Sequence, residues 1–334
     1  MPDDLAPVQR TAAYAVVTDP GGAVLLVRAS PRSDYAGRWF LPGGGVGHGE
    51  APDDAVVREV AEETGLEVRV TGPPRGVLAD TLDLPHRGVR VHTLRVLYDA
   101  EPVAGWPAAG LRPEPDGTSD LVELVPAERL ADLPLMPYVA DVLGAAAVTD
   151  LPAATVPERP EPLVGTRGAS ADAEADAVTA DVVVRMQRPA AYAVLRDGDE
   201  VLLTRLRDSG GMWTLPGGGI DHGEDPRAAV VREVYEETGL ELTPGRLVAV
   251  TSKHFTGHAP NGRLEDFHAI RLVYDGTVPR EEPRVTEVDG STDAAAWLPL
   301  AEVAGLRLAG IVLEGLEAAG VVLPGAAGGR TMAG

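Results

Sequence analysis

The sequence predicts an α/β protein built of two tandem α/β/α sandwich domains, each with a mixed β-sheet between helices. One reason is length: 334 residues suit two domains, each large enough to bury its own core. A second is a repeat. Residues 44–66, GGVGHGEAPDDAVVREVAEETGL, return at 218–240 as GGIDHGEDPRAAVVREVYEETGL. A third is the alternation of strand-like and helix-like patterning inside each copy.

The repeat reaches beyond those stretches. AAYAV at 12–16 returns at 190–194, and VLLVR at 24–28 returns as VLLTR at 201–205. WFLPG at 39–43 returns as WTLPG at 213–217, and HTLRVLYD at 92–99 as HAIRLVYD at 268–275. Two copies make two domains rather than the stack of short units a solenoid needs. The expected domains are 1–148 and 182–324. Between them, 149–181 is rich in Pro, Ala, Glu and Asp without periodicity and reads as a linker. The small, polar stretch 325–334 reads as a flexible tail.

Within a copy the elements follow in order. Apolar runs at 12–17 and 23–28, joined by Asp19-Pro20-Gly21-Gly22, predict a hairpin. The second copy has Asp197-Gly198-Asp199 at that turn. A glycine-rich loop at 42–49 leads into a helix starting near Pro52, with Val56, Val57 and Val60 as its apolar face. Proline suits the first helical turn and Gly65 the position just past the end. Asp225 is a proper N-cap for the second copy's helix. Strands at 90–98 and 266–274 follow, then closing helices near 137–147 and 302–317. Stretches 71–89 and 251–266 differ between the copies and read as substrate-selecting loops.

Composition narrows the function. A formal net charge of −22 argues against polymeric DNA or RNA as partner, because phosphate backbones demand a basic footprint. A small phosphorylated substrate is compatible if cations neutralise the site. There is no apolar run near the length of a membrane span and no basic segment leading an apolar one at the start, so a cytoplasmic location away from membranes is expected. The chain has no cysteine, which excludes disulfides and thiolate metal sites.

The chemistry lies at the end of the central helix. Glu59, Glu62 and Glu63 stand at i, i+3 and i+4, on one side of a helix and in its last turns. The helix dipole already places negative charge there, so each carboxylate costs about 0.3–1 kcal/mol. A solvated surface helix would more cheaply carry Lys or Arg. A divalent cation with hard oxygen ligands, Mg²⁺ or Mn²⁺, relieves the repulsion. Arg58 is four residues before Glu62 and can orient it. Arg232, Glu233, Glu236 and Glu237 repeat the arrangement.

Gly44, Glu50 and the run Arg58-Glu59-Val60-Ala61-Glu62-Glu63-Thr64-Gly65-Leu66 resemble the Nudix box, as does 218–240, with every defining position met in both. The resemblance covers both halves apart from linker and tail. It implies two Nudix domains and hydrolysis of a nucleoside diphosphate linked to another moiety, such as a canonical or oxidised nucleoside triphosphate or an ADP-ribose-like compound. It further implies Mg²⁺ (with Mn²⁺ as substitute) on Glu59, Glu62, Glu63 and the Gly43 carbonyl, and on Glu233, Glu236, Glu237 and the Gly217 carbonyl. A metal-activated water would attack phosphorus, with a box glutamate or a late-loop carboxylate as base. Asp120 and Asp293 best match the latter, although turn capping is the favoured reading of each. Arg28 and Arg205, at matching strand ends, correspond to a phosphate-contacting arginine in similar enzymes, and a surface strand-end charge is an equal reading.

His48 and His222, just before each Gly-Glu pair, read as turn residues, and His92 and His268 as packed strand histidines. Two other readings are a nucleotide sensor without turnover and a pair in which one domain supports the other. An intact box in both copies and the acidic charge disfavour the sensor.

Overall fold

A computed structural model describes residues 5–106, 110–113, 115, 117–145, 166–167, 183–207, 209–258, 263–287 and 290–324. The expected tail, and the expected linker apart from Thr166–Arg167, lie outside the described residues. The chain divides into two units. Met1–Gln187 with Ser252–His268 form the first; Arg188–Thr251 with Ala269–Gly334 form the second.

In the first unit, β1 (Ala6–Val17), β2 (Val24–Ala29), β3 (Trp39–Phe40) and β4 (Gly43–Gly45) precede helix α1 (Pro52–Thr64). After it come β5 (Val68–Val70), β6 (Gly76–Leu84), β7 (Val89–Pro102), β8 (Ser119–Val125) and α2 (Pro137–Leu143). β1 is buried from Thr11 to Val17 because both its edges and both its faces are covered. One edge pairs parallel with β7 over twelve positions, Ala6 opposite Val89 through Val17 opposite Ala100. The other pairs antiparallel with β4. Ala12, Tyr14 and Val16 join a core with Leu26, Trp39, Leu135 and residues of α2, while α1 packs on β1, β4 and β5. The short β9 (Thr166–Arg167) pairs with Val8 and Gln9.

The second unit is built mainly from β10 (Val184–Asp197), β11 (Glu200–Leu206), β12 (Trp213–Thr214), β13 (Gly217–Gly219), α3 (Pro226–Thr238), β14 (Thr243–His258), β15 (Leu264–Thr277) and β16 (Thr292–Pro299). Helices α4 (Leu300–Val303) and α5 (Gly310–Ala318) close it. Its sheet runs β12-β11-β10-β15-β14, with β13 on β10 and β16 on β11. Val194, Leu203, Leu215, Val273, Val312 and Leu316 are among its core residues. Among the described residues no helix is long and apolar enough to cross a membrane.

Three expectations are corrected. The hairpin expected over 12–28 exists only at its turn, where Thr18 bridges Val24 and the Asp19 carboxylate accepts from Ala23 N at 2.8 Å. β1's edges are already taken by β4 and β7, so β2 leaves for a second sheet, β3-β2-β8. The expected loops at 71–89 and 251–266 are largely strand. β6 pairs along its whole length with β7, and β14 runs on to His258 with Phe255 packed on Phe267, ring centroids 5.4 Å apart. An aromatic pair of that kind holds adjacent strands together. Finally, the closing helix near 302–317 is broken between α4 and α5. Trp213 N donates to Arg307 O and Ala309 N to Trp213 O, both at 2.8 Å, which pulls the intervening residues out of helix.

Candidate active site

Two elements bring the site together in each unit: a glycine strand and the end of the helix that follows it. In β4, Gly43 lies opposite Tyr14 with φ of 144°, where a Cβ would overlap the Ala13 carbonyl oxygen. A Cβ on Gly44 would overlap the Glu59 carboxylate. Only glycine at both positions lets backbone and carboxylates approach so closely. Helix α1 buries Val56, Val60 and Thr64, has no basic residue in its last turn, and ends on Gly65 in the left-handed conformation. Burial of that face turns Glu59 and Glu63 toward β4.

Arg58 gathers the cluster. Its Nε donates to Glu50 Oε1 at 2.7 Å and its Nη2 to Glu50 Oε2 at 2.9 Å. Nη1 donates to Glu59 Oε1 at 2.9 Å and to Glu62 Oε2 at 3.0 Å, and Nη2 also reaches Gly45 O at 3.2 Å. One rigid fork thus fixes three carboxylates, which a lysine could not do. Glu63 stands apart from the fork and is half-buried. Its Oε2 accepts from Gly43 N at 2.9 Å and its Oε1 from the Ser119 hydroxyl at 3.0 Å. Burial raises its pKa to about 8, against those two hydrogen bonds, with Glu59 adding repulsion. Burial also raises the pKa of Glu59.

The second unit reproduces this geometry. Arg232 donates to Glu224 through Nε and Nη2, both at 2.9 Å, and through Nη1 to Glu233 at 2.8 Å and Glu236 at 3.1 Å. Buried Glu237 accepts from Gly217 N at 2.9 Å and from the hydroxyls of Thr204 and Thr292, and burial raises its pKa to about 7.

In the first unit the cluster opens into a cleft of about 580 Å³, whose lining includes Glu59, Glu63, Arg10, Arg32, Tyr35, Phe40 and Arg95. Arg95 is buried, ion-paired with Asp80 and 4.7 Å over the Tyr138 ring. Arg87 and His86 both bind Asp34 at the rim, at 2.8 and 2.7 Å.

Arg58, the three glutamates and Gly43 come together as the sequence predicts, and so do their counterparts in the second unit. Arg28 does not join them. Val27 and Ala29 line the cleft, so the pleat turns Arg28 to the other face, where it forms a two-pronged pair with Asp120 at 2.8 and 3.2 Å. Arg205 likewise binds Asp293 at 2.7 Å. Each late-loop carboxylate is therefore held by the arginine of its own unit. Sequence reasoning missed the roles of Glu50, Glu224 and Arg10. Arg10 carried a usable signal: it and Arg188 stand two residues before AAYAV in both copies.

A mixed sheet with a glycine strand facing a glutamate-rich helix end, present twice, defines a tandem α/β protein with paired acidic sites. The family model for the NUDIX domain matches residues 8–143 and 186–313, and the chain belongs to the NUDIX family. An RNA pyrophosphohydrolase of Roseobacter denitrificans is 39% identical over 77 residues, 22% of this chain and 48% of that protein. A CTP pyrophosphohydrolase of Escherichia coli is 34% identical over 97 residues, 28% of this chain and 72% of that protein. A solved structure of a MutT protein from Methanosarcina mazei shares 26% identity over 41% of this chain and 91% of that one, with a TM-score of 0.33. The chain spans between 48% and 64% of the length of the first RNA pyrophosphohydrolases it matches.

Proposed function

We propose that the protein is a Mg²⁺-dependent hydrolase that cleaves the pyrophosphate of a nucleoside diphosphate linked to a further group. Its two catalytic domains are those read from the repeat, 1–148 and 182–324. The observation that carries this is the pairing, in each unit, of an arginine-forked glutamate trio with a fourth glutamate that accepts from the N–H of a glycine strand. The donor set fits a hard divalent ion. It is all oxygen, and burial makes the Glu63 anion costly unless a cation adjoins it. The family is generally dependent on divalent metals.

Glu59, Glu62, Glu63 and the Gly43 carbonyl would hold the ion in the first site; Glu233, Glu236, Glu237 and the Gly217 carbonyl would hold it in the second. When bound, the metal supplies an activated water and neutralises charge on the pyrophosphate oxygens. Arg58 and Arg232 keep the carboxylates aimed. Arg10 and Arg32 give the first cleft positive charge for phosphate, and Tyr35 and Phe40 offer ring surface to a base. Asp120 and Asp293 are already bound by arginines, which favours a box glutamate as proton acceptor. For the same reason we assign Arg28 and Arg205 to holding those aspartates rather than to phosphate.

The test is product release from a panel of nucleoside triphosphates and nucleotide-linked diphosphates with Mg²⁺. Glu62→Gln and Glu236→Gln should each silence one site, and the double variant both. Turnover of the double variant at the wild-type rate, or no Mg²⁺-dependent turnover of any nucleotide by the wild type, defeats the proposal.

A further inference from the structure

Away from the glutamates, the first unit holds a second cluster of metal-ligating side chains. Asp266 lies between two imidazoles: His254 Nε2 is 2.5 Å from its Oδ1 and His48 Nε2 is 3.2 Å from its Oδ2. One ligand atom from each of the three residues lies within 4.8 Å of the others. His48 Nε2 is shielded from solvent and makes no aligned hydrogen bond despite facing that carboxylate. Among the described residues no other three such ligands converge in this way.

The surroundings are built to hold these rings. His254 sits against Gly49, where a Cβ would stand only 3.0 Å from its Nδ1, and Gly49 has φ of 82°. The rings of His48 and His254 meet edge-on with centroids 5.0 Å apart. A third histidine, His268, packs on both and is fully buried. The Gln187 amide donates to its Nδ1 at 3.1 Å and to Val46 O at 3.1 Å. That assignment leaves the proton of neutral His268 on Nε2, so His268 serves as a wall and not a ligand. Arg185, at 3.7 Å from Asp266 Oδ2, is largely exposed and can swing clear.

We propose that His48, His254 and Asp266 form a transition-metal site of the Zn²⁺ class, distinct from the glutamate clusters. Two imidazoles and one carboxylate with open positions suit Zn²⁺, Co²⁺ or Fe²⁺, whereas the all-oxygen clusters suit Mg²⁺. Ligands of a tetrahedral ion at about 2.0–2.2 Å stand roughly 3.3 Å apart, so closure needs movements of roughly 1–1.5 Å. The exposed His254 ring can supply them. The site also has a route to the chemistry. His48 lies between Gly47, whose N–H binds Glu50 at 2.8 Å, and Glu50 itself, which grips Arg58. An ion on His48 therefore steadies the loop that orients the first site's carboxylates. The repeat does not duplicate this trio: the positions matching His48, His254 and Asp266 in the other copy are His222, Leu78 and Arg90.

The experiment is Co²⁺ titration of chelator-treated full-length protein in saturating Mg²⁺, followed by visible absorption and by thermal melting. One equivalent should give a band stronger than octahedral all-oxygen Co²⁺ produces, and it should raise the melting temperature; one equivalent of Zn²⁺ should abolish the band. His254→Ala and Asp266→Asn should weaken that equivalent at least roughly 10-fold. His254→Gln serves if the alanine variant folds poorly. The band should survive in the Glu62→Gln and Glu236→Gln variants, which separates this site from the proposed catalytic ones. Absence of the band in the wild type, or its persistence unchanged in the His254 and Asp266 variants, overturns the proposal.

Discussion

Glu63 concentrates the electrostatic tension of the first site in one side chain. Its carboxyl holds a proton up to about pH 8, against an ordinary value of 4.5, because burial penalises the anion. The sign follows from linkage: the metal-free folded state binds that proton more tightly than the unfolded chain. Stability contributed by protonated Glu63 is intact below pH 4.5 and is lost as pH rises through 8, by roughly 3–5 kcal/mol at most. Glu63→Gln should therefore melt higher than the wild type at pH 8.5 in EDTA and equally at pH 4.5. The Ser119 hydroxyl can turn to accept from the new amide, so no buried donor is stranded. Mg²⁺ should stabilise the wild type most at the alkaline end and the variant little. Arg58 invites a different measurement. Arg58→Lys keeps the charge but loses the fork, and kcat should fall about 10–100-fold with a smaller change in KM.

The two central helices make a natural experiment in capping. Asp225 accepts from Arg227 N and Ala228 N at the start of α3, whereas Ala51 offers α1 no side-chain cap. Ala51→Asp should stabilise the protein by roughly 0.5–2 kcal/mol and Asp225→Ala should destabilise it by a similar amount, read by urea unfolding. These helices were legible in the sequence because proline, period and terminal glycine agree locally. The glutamate clusters were legible for the same reason, since helical spacing alone puts Glu59, Glu62 and Glu63 on one side. What escaped depends on distant partners. β6 and the end of β14 carry little alternating pattern, and β7 and the Phe255–Phe267 pair make them strands. Arg28 showed a strand-end charge, but only the pleat and Asp120 reveal which way it points.

At the scale of the molecule, the two sites share their carboxylates but not their surroundings. The stretch between Arg28 and Trp39 is three residues longer than that between Arg205 and Trp213, and it supplies Arg32, Ser33, Asp34 and Tyr35 to the first cleft. Glu62→Gln and Glu236→Gln, each leaving one site, should therefore show different ratios of kcat/KM across the same nucleotide panel. Identical profiles would mean that this insertion does not select substrate.

One feature of the first unit bears on how the protein is made. Residues Ser252–His268 belong to it, although they are encoded far downstream of its other parts. A ribosome that has just released Gln187 has not yet delivered the last piece of that unit, and it must translate most of the following half before doing so. That strand pair can therefore join the early half only late in synthesis.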